Sequence, residues 1–167
     1  MGSIIFIRPP RRKYRYLRFY QTANVGGNNL CTLFELDFSN DGGSTWLPTQ
    51  TMTANNAPSP LVALADSENA FPTPAYFAFT NGTNLTGWST TNTAHPHWLQ
   101  IDLGAGHAIR PTHVRYKIYN TGGSDRTPKD FTIRGSNDGF SSENIVLLTV
   151  TGDTSGTHQS SRTKAIP

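Results

Sequence analysis

His95-Pro96-His97 sets two imidazoles two residues apart. In an extended chain that spacing puts both on one side, as in some metal sites. Such a site needs a third and a fourth ligand, and only Asp102 stands close by in sequence. The pair is therefore not read as a metal site. Hydrolytic chemistry fares no better. No Gly-x-Ser-x-Gly elbow occurs, and Gly152-Asp153-Thr154-Ser155-Gly156 lacks the strand-to-helix setting of a serine nucleophile. Glycoside hydrolysis needs two carboxyl groups across a cleft, and the 11 acidic residues declare no such pair. No phosphate-cradling Gly loop precedes a helix. Cys31, within an alternating stretch, reads as a small packed residue. The chain is read as non-catalytic. Two aromatic rings remain as contact candidates: Phe140, directly after Asp138-Gly139, and Trp46, although burial beneath a hairpin suits Trp46 better.

Those side chains need a scaffold, and the totals bound it. The 167 residues are enough for one domain with a core and too few for two ordinary ones. Charged residues make up only 15%, while 15 Gly and 11 Pro punctuate the chain. That balance suits short strands joined by turns and excludes a helical bundle. Arg8, Arg11, Arg12, Lys13, Arg15 and Arg18 gather six of the 14 basic residues near the start, so the remainder is slightly acidic. Residues 1–13, with Pro9-Pro10, read as an extended basic arm suited to an acidic partner. No groove-reading motif accompanies it, which argues against nucleic acid. Cys31 stands alone, so no disulfide forms within the chain. Ile4 to Ile7 is too short for a signal-peptide core, and its charges follow instead of preceding. No stretch approaches the roughly 20 apolar residues of a membrane span. The expectation is a protein made in a reducing cytoplasm.

Residues 14–167 read as one all-β unit. Tyr14 to Thr22 alternates, with Leu17 and Phe19 on one face and Tyr16, Arg18 and Tyr20 on the other. Leu30 to Phe38 alternates again, and Trp46-Leu47 is expected to begin a return strand after the Ser39-Asn40-Asp41-Gly42-Gly43 turn. Residues 61–95 lack periodicity and predict irregular structure with one or two short strands. Trp98 to Leu103, Thr112 to Asn120, Asp130 to Gly135 and Ile145 to Thr151 predict four more strands, with turns at Gly122-Gly123 and Asn137-Asp138-Gly139. Short strands at this spacing mean a β-sandwich or barrel. Ser39-Asn40-Asp41-Gly42 and Ser136-Asn137-Asp138-Gly139 echo each other, either by duplication or as two hairpins that solved one turn problem.

From Leu64 to Val150 a series of short motifs accumulates. They are Ala78-Phe79-Thr80-Asn81-Gly82, Thr86-Gly87-Trp88, Trp98-Leu99-Gln100-Ile101-Asp102-Leu103-Gly104, Pro128-Lys129-Asp130-Phe131-Thr132-Ile133, Gly135-Ser136-Asn137-Asp138-Gly139 and Leu147-Leu148. In this order and spacing they resemble the discoidin family, the coagulation-factor type C domain, whose fold is the galactose-binding-like jelly-roll β-sandwich. The resemblance implies a module that binds sugars or surfaces through loops at one end, without catalysis, and makes Trp88 and Trp98 core residues and Asp102 a structural residue of the sheet. In sugar-binding relatives a His and an Arg on facing loops hold sugar hydroxyls, which assigns His95 or His97 with Arg126 to that role and Phe140 to an aromatic contact. Some relatives hold a structural calcium near a motif ending in Asp-Gly. Here Asn81 stands in place of that Asp, which leaves only a weak case for calcium near Asn81 and Thr86, and no cofactor is expected.

These readings lead to a phage virion protein, tail- or fibre-associated or a head decoration. It would be made in the host cytoplasm, anchored to other virion proteins by Arg8, Arg11, Arg12 and Lys13, and would face host-surface glycans as a homo-oligomer within an assembly. A purely structural capsid or tail component without a glycan ligand, and a carbohydrate-binding module of a secreted bacterial enzyme, are the alternatives.

Overall fold

Alternation of apolar and polar side chains sets the architecture. The computed structural model describes residues 12–69, 73–82, 86–118, 126–154 and 160–167. The nine strands found there are β1 (Tyr16–Asn24), β2 (Thr32–Ser39), β3 (Val62–Ala65), β4 (Trp88–Ser89), β5 (His97–Asp102), β6 (His113–Ile118), β7 (Pro128–Ser136), β8 (Ile145–Val150) and β9 (Ser161–Ala165). A 3₁₀ turn spans Ala75–Phe79. The strands form two antiparallel sheets, one of order β3-β5-β1-β7-β8 and one of order β4-β2-β6-β9. This is the expected β-sandwich of discoidin type.

β1 and β2 each take an interior place in one sheet. Leu17 and Phe19 of β1 point inward and are fully buried, as are Leu36 and Phe38 of β2. Between the sheets Phe19 stacks on Phe131 at 4.8 Å and lies 6.1 Å from Tyr116. Burying each such side chain contributes roughly 2 kcal/mol. Two glycines answer to close packing. A Cβ at Gly135 would lie 2.6 Å from the ring of Tyr14. Gly87, at φ +64°, passes so near β2 that a Cβ would sit 2.3 Å from the carbonyl oxygen of Leu33. The family-like Thr86-Gly87-Trp88 step thus lets Trp88 enter the core, where it is fully buried.

Three expectations need correction. Trp46-Leu47 begins no strand: Leu47 makes one isolated bridge to Phe38, and Pro48 lacks the N–H to extend it. β9 was not foreseen, because its inward positions are Arg162 and Lys164, opposite Tyr116 and Val114, and carry no apolar alternation. Both cations meet Asp153, at 2.6 and 2.9 Å, and the Tyr116 hydroxyl also donates to it. Trp98 is not core. Leu99 takes the inward position, so Trp98 lies half-buried on the outer face. Trp46 is half-buried too, with the Arg115 guanidinium 4.5 Å from its ring. The Gly122-Gly123 turn lies outside the described residues.

The two Ser-Asn-Asp-Gly turns share one solution. Ser39 Oγ donates to Asp41 at 2.7 Å and Ser136 Oγ to Asp138 at 2.7 Å. Each serine oxygen then accepts the backbone N–H of the residue four further on, Gly43 and Phe140. Each aspartate collects the amides beyond, which holds both carboxyls below their ordinary range. The echo is a common turn chemistry, whatever its origin.

Candidate functional site

The antiparallel registers sort the loops into two ends. At the Asn24 end of β1, Asn24 pairs with Pro128 and Gln21 with His97. At the Tyr16 end, Tyr16 pairs with Asp102 and Ser136. The turn 25–31, the segment 66–69, the loop 90–96 and Arg126-Thr127 therefore belong to the first end. The Asn137–Glu143 loop belongs to the second.

His97 ties the first end together. Its ring is fully buried, with Nδ1 at 2.7 Å from Asp66 and Nε2 at 2.8 and 3.0 Å from the carbonyls of Asn29 and Thr93. Both ring nitrogens face acceptors only, the setting of an imidazolium. Burial pulls its pKa down, but the Asp66 carboxylate and the two carbonyls outweigh that and hold it above the ordinary value. Further bonds reinforce the knot: Thr90 Oγ1 accepts from the Cys31 amide, Ser67 Oγ from Thr91, and the Thr127 carbonyl from Val25. Four separate segments are thereby fixed to one another.

His95 sits against this knot. It is half-buried, its ring edge-on to His97 at 4.9 Å, and its Nε2 contacts the Asn28 carbonyl at 3.2 Å. Burial, with the neighbouring His97 charge, lowers its pKa and keeps the ring neutral. Nδ1 has no hydrogen-bond partner among the described residues. Arg126, also half-buried, donates from Nη1 to Thr32 Oγ1 at 3.2 Å and Ser89 Oγ at 3.3 Å.

The four residues expected to hold a sugar are thus not one cluster. His95, His97 and Arg126 share the Asn24 end, but His97 is consumed in holding the loops. Phe140 lies at the other end, at φ +67°, with the Arg18 guanidinium 3.9 Å from its ring centre. Of the expected basic arm, Arg8 and Arg11 lie outside the described residues. Arg12 and Lys13 are exposed, with Arg12 paired to Glu143 and the Lys13 carbonyl accepting from Asn137. The Tyr16 end also holds a cleft of about 430 Å³, with Leu61, Leu103 and Ile109 in its lining and exposed Asn40, Gln50 and His107 beside them. No motif in the sequence pointed to it.

For calcium, the structure adds a residue that sequence spacing could not reveal. At the Asn81-Gly82 turn, Glu35 Oε2 accepts the Gly82 amide at 2.5 Å, while Glu35 Oε1 and Asp37 Oδ1 are buried without hydrogen-bond partners among the described residues. Burial and Asp37 push the Glu35 carboxyl up to about 7. Orphaned carboxylate oxygens fit a hard cation, so Glu35 would hold calcium there with amide and backbone oxygens of the turn. Thr86 is exposed, and among the described residues no group of three or more His, Cys, Asp or Glu gathers as a metal site.

A two-sheet antiparallel sandwich with loops gathered at its ends is an architecture shared by many recognition domains. The family model of the F5/8 type C domain matches residues 63–165, and the chain belongs to that family, whose members are generally non-catalytic binding modules. No curated protein and no solved structure matches it. The matched residues begin at Ala63, yet β1 and β2 lie upstream. Among the described residues, no helix is long and apolar enough to cross a membrane.

Proposed function

We propose that this chain is a carbohydrate-binding module that uses the Asn24 end of the sandwich, with His95 and Arg126 as its hydrogen-bonding side chains. The observation that carries the reading is the His97 knot. With the Val25–Thr127 backbone bond that ties in the fourth, it fixes four loop segments in advance, so little ordering free energy is lost when a sugar binds. The neutral His95 ring gives its Nε2–H to the Asn28 carbonyl and keeps Nδ1 as an acceptor for a hydroxyl, the Arg126 guanidinium donates to hydroxyl oxygens, and binding there needs no reacting group. His97 positions and does not touch the ligand.

Within that reading, the module is a component of a phage tail or head, anchored to other virion proteins by the arm from Arg8 to Lys13 and turned toward host-surface glycans. Two features support this: the basic run itself and a buried Cys31 with no partner cysteine in the chain. Removing residues 1–13 is expected to abolish attachment to particles while the sandwich stays folded. Attachment that survives the removal contradicts the anchoring role.

The site itself is tested by screening glycans and then titrating a hit into isotope-labelled protein. Micromolar to millimolar binding, with shifts at His95 and Arg126 and loss in Arg126→Ala without unfolding, is expected. Shifts centred on His107 would move the site to the cleft at the Tyr16 end. A blank screen would favour a purely structural role.

A further inference from the structure

The outer face of the five-stranded sheet carries a charge arrangement that folding alone does not favour. Arg18 of β1 and Arg134 of β7 stand directly opposite in register. Like charges in that position cost stability. Neither guanidinium is paired with a carboxylate among the described contacts. Arg18 donates to Gln100 Oε1 at 2.7 and 3.1 Å, and Arg134 to Thr132 Oγ1 at 2.8 Å. Acids on the same strands and loops have other partners, Asp130 of β7 accepting the Gly152 amide. Asp102 takes two bonds of 2.6 Å from Arg15, and Glu143 pairs with Arg12 and the Asn137 amide.

Instead of acids, aromatic rings lie against the two cations. The Arg18 guanidinium lies 4.2 Å from the ring centre of Trp98 and 3.9 Å from that of Phe140, and Arg134 lies 3.6 Å from that of Tyr20. A planar guanidinium against a ring can still offer edge N–H groups to a bidentate acceptor. Partial burial, with Arg134 as neighbour, pushes the Arg18 pKa down to about 10, the mark of a cation short of an anion. Exposed apolar side chains stand at both ends of the row. One cross-strand row runs Leu64, Gln100, Arg18, Arg134, Val146, and its two ends are 46% and 52% exposed. Trp, Tyr and Arg framed by exposed aliphatic side chains are the makings of a protein-binding hot spot.

We propose that this face docks a partner protein that sets a carboxylate between Arg18 and Arg134 and rests apolar side chains on Leu64 and Val146. A second copy related by a two-fold axis through the Arg pair is excluded by charge, because it would bring guanidinium onto guanidinium. A polysaccharide is the weaker fit, because the exposed aliphatic ends of the row offer nothing to hydroxyl groups. The surface is separate from the Asn24 end and does not depend on that site binding sugar.

The test is an NMR titration of the full chain with the blocked peptide Val-Val-Glu-Val-Val, the same peptide with Gln for Glu, and polygalacturonate. The Glu peptide is expected to shift the Arg18 and Arg134 Nε–H signals and the Trp98 indole signal, and the Gln peptide to bind at least fivefold more weakly. Arg134→Gln is expected to weaken the Glu peptide at least fivefold without lowering the melting temperature, and Arg126→Ala to leave its binding unchanged. Equal binding of the two peptides, no shifts on this face, or stronger binding of polygalacturonate would each overturn the proposal.

Discussion

β1 and β2 hold the same kind of place, one interior to each sheet, yet they dress their outer faces in opposite ways. β2 offers Glu35 and Asp37, which stand in register with Lys117 and Arg115, and Arg115 closes on Asp37 at 2.8 Å. β1 offers Arg18, whose cross-strand neighbour is another arginine. On β2 Asp37 has its cation within the chain, although Glu35 Oε1 and Asp37 Oδ1 have no hydrogen-bond partner among the described residues; on β1 both members of the pair are cations, to be matched from outside. Satisfaction within the fold marks structure, and a like-charge pair that nothing inside relieves marks a surface kept for contact.

The harshest way to break the comparison is to remove both strands. The fragment 63–167 retains the family-matched residues but leaves β5 and β7 with no strand between them and β6 with no β2, so it is expected to be unfolded by circular dichroism and NMR. A folded fragment would mean that neither strand is essential. Next comes Asp37→Ala. It strips the partner from a partly covered Arg115, and a loss of about 3 kcal/mol is expected in urea unfolding. A loss under about 1 kcal/mol would show that the β2 face is not held by its ion pair.

The link between the two strands, residues 25–31, is sensitive to pH through His97. Its folded pKa is raised above the unfolded value of about 6.5. Its contribution is therefore fully present below about pH 6.5 and is lost as pH rises through the folded pKa. Asp66→Asn is expected to flatten that slope in stability measured from pH 5 to 9, and an unchanged slope would reject the imidazolium. The smallest effect has the opposite sign. Arg134→Gln relieves the like-charge pair and is expected to raise stability by about 0.3 kcal/mol. A clear loss would show that the cation is already matched.

Much of this was legible in the residues. The alternation of Tyr14 to Thr22 revealed both faces of β1, and Asn-Asp-Gly steps located two turns. The family-like motifs carried the sandwich. Less legible was anything that depends on long-range pairing. β9 is a strand because Arg162 and Lys164 reach one buried carboxylate across the sandwich, and no local pattern reports that. Glu35 meets Gly82 across 47 positions, and only the fold brings them together. His95 and His97 read as a pair but point to different tasks, since one ring is sealed by three acceptors and the other is not. Phe140 was separated from them by strand direction, which sequence spacing does not convey.

The proposed sugar site at the Asn24 end is open to a direct titration. A glycan identified by screening is titrated into labelled wild-type and Arg126→Ala protein while backbone signals are followed. Saturable shifts confined to residues 25–31, 90–97 and 126–127 are expected in the wild type, lost in the variant while its remaining spectrum is preserved. Shifts that avoid those segments, or that persist undiminished in Arg126→Ala, would contradict a site there.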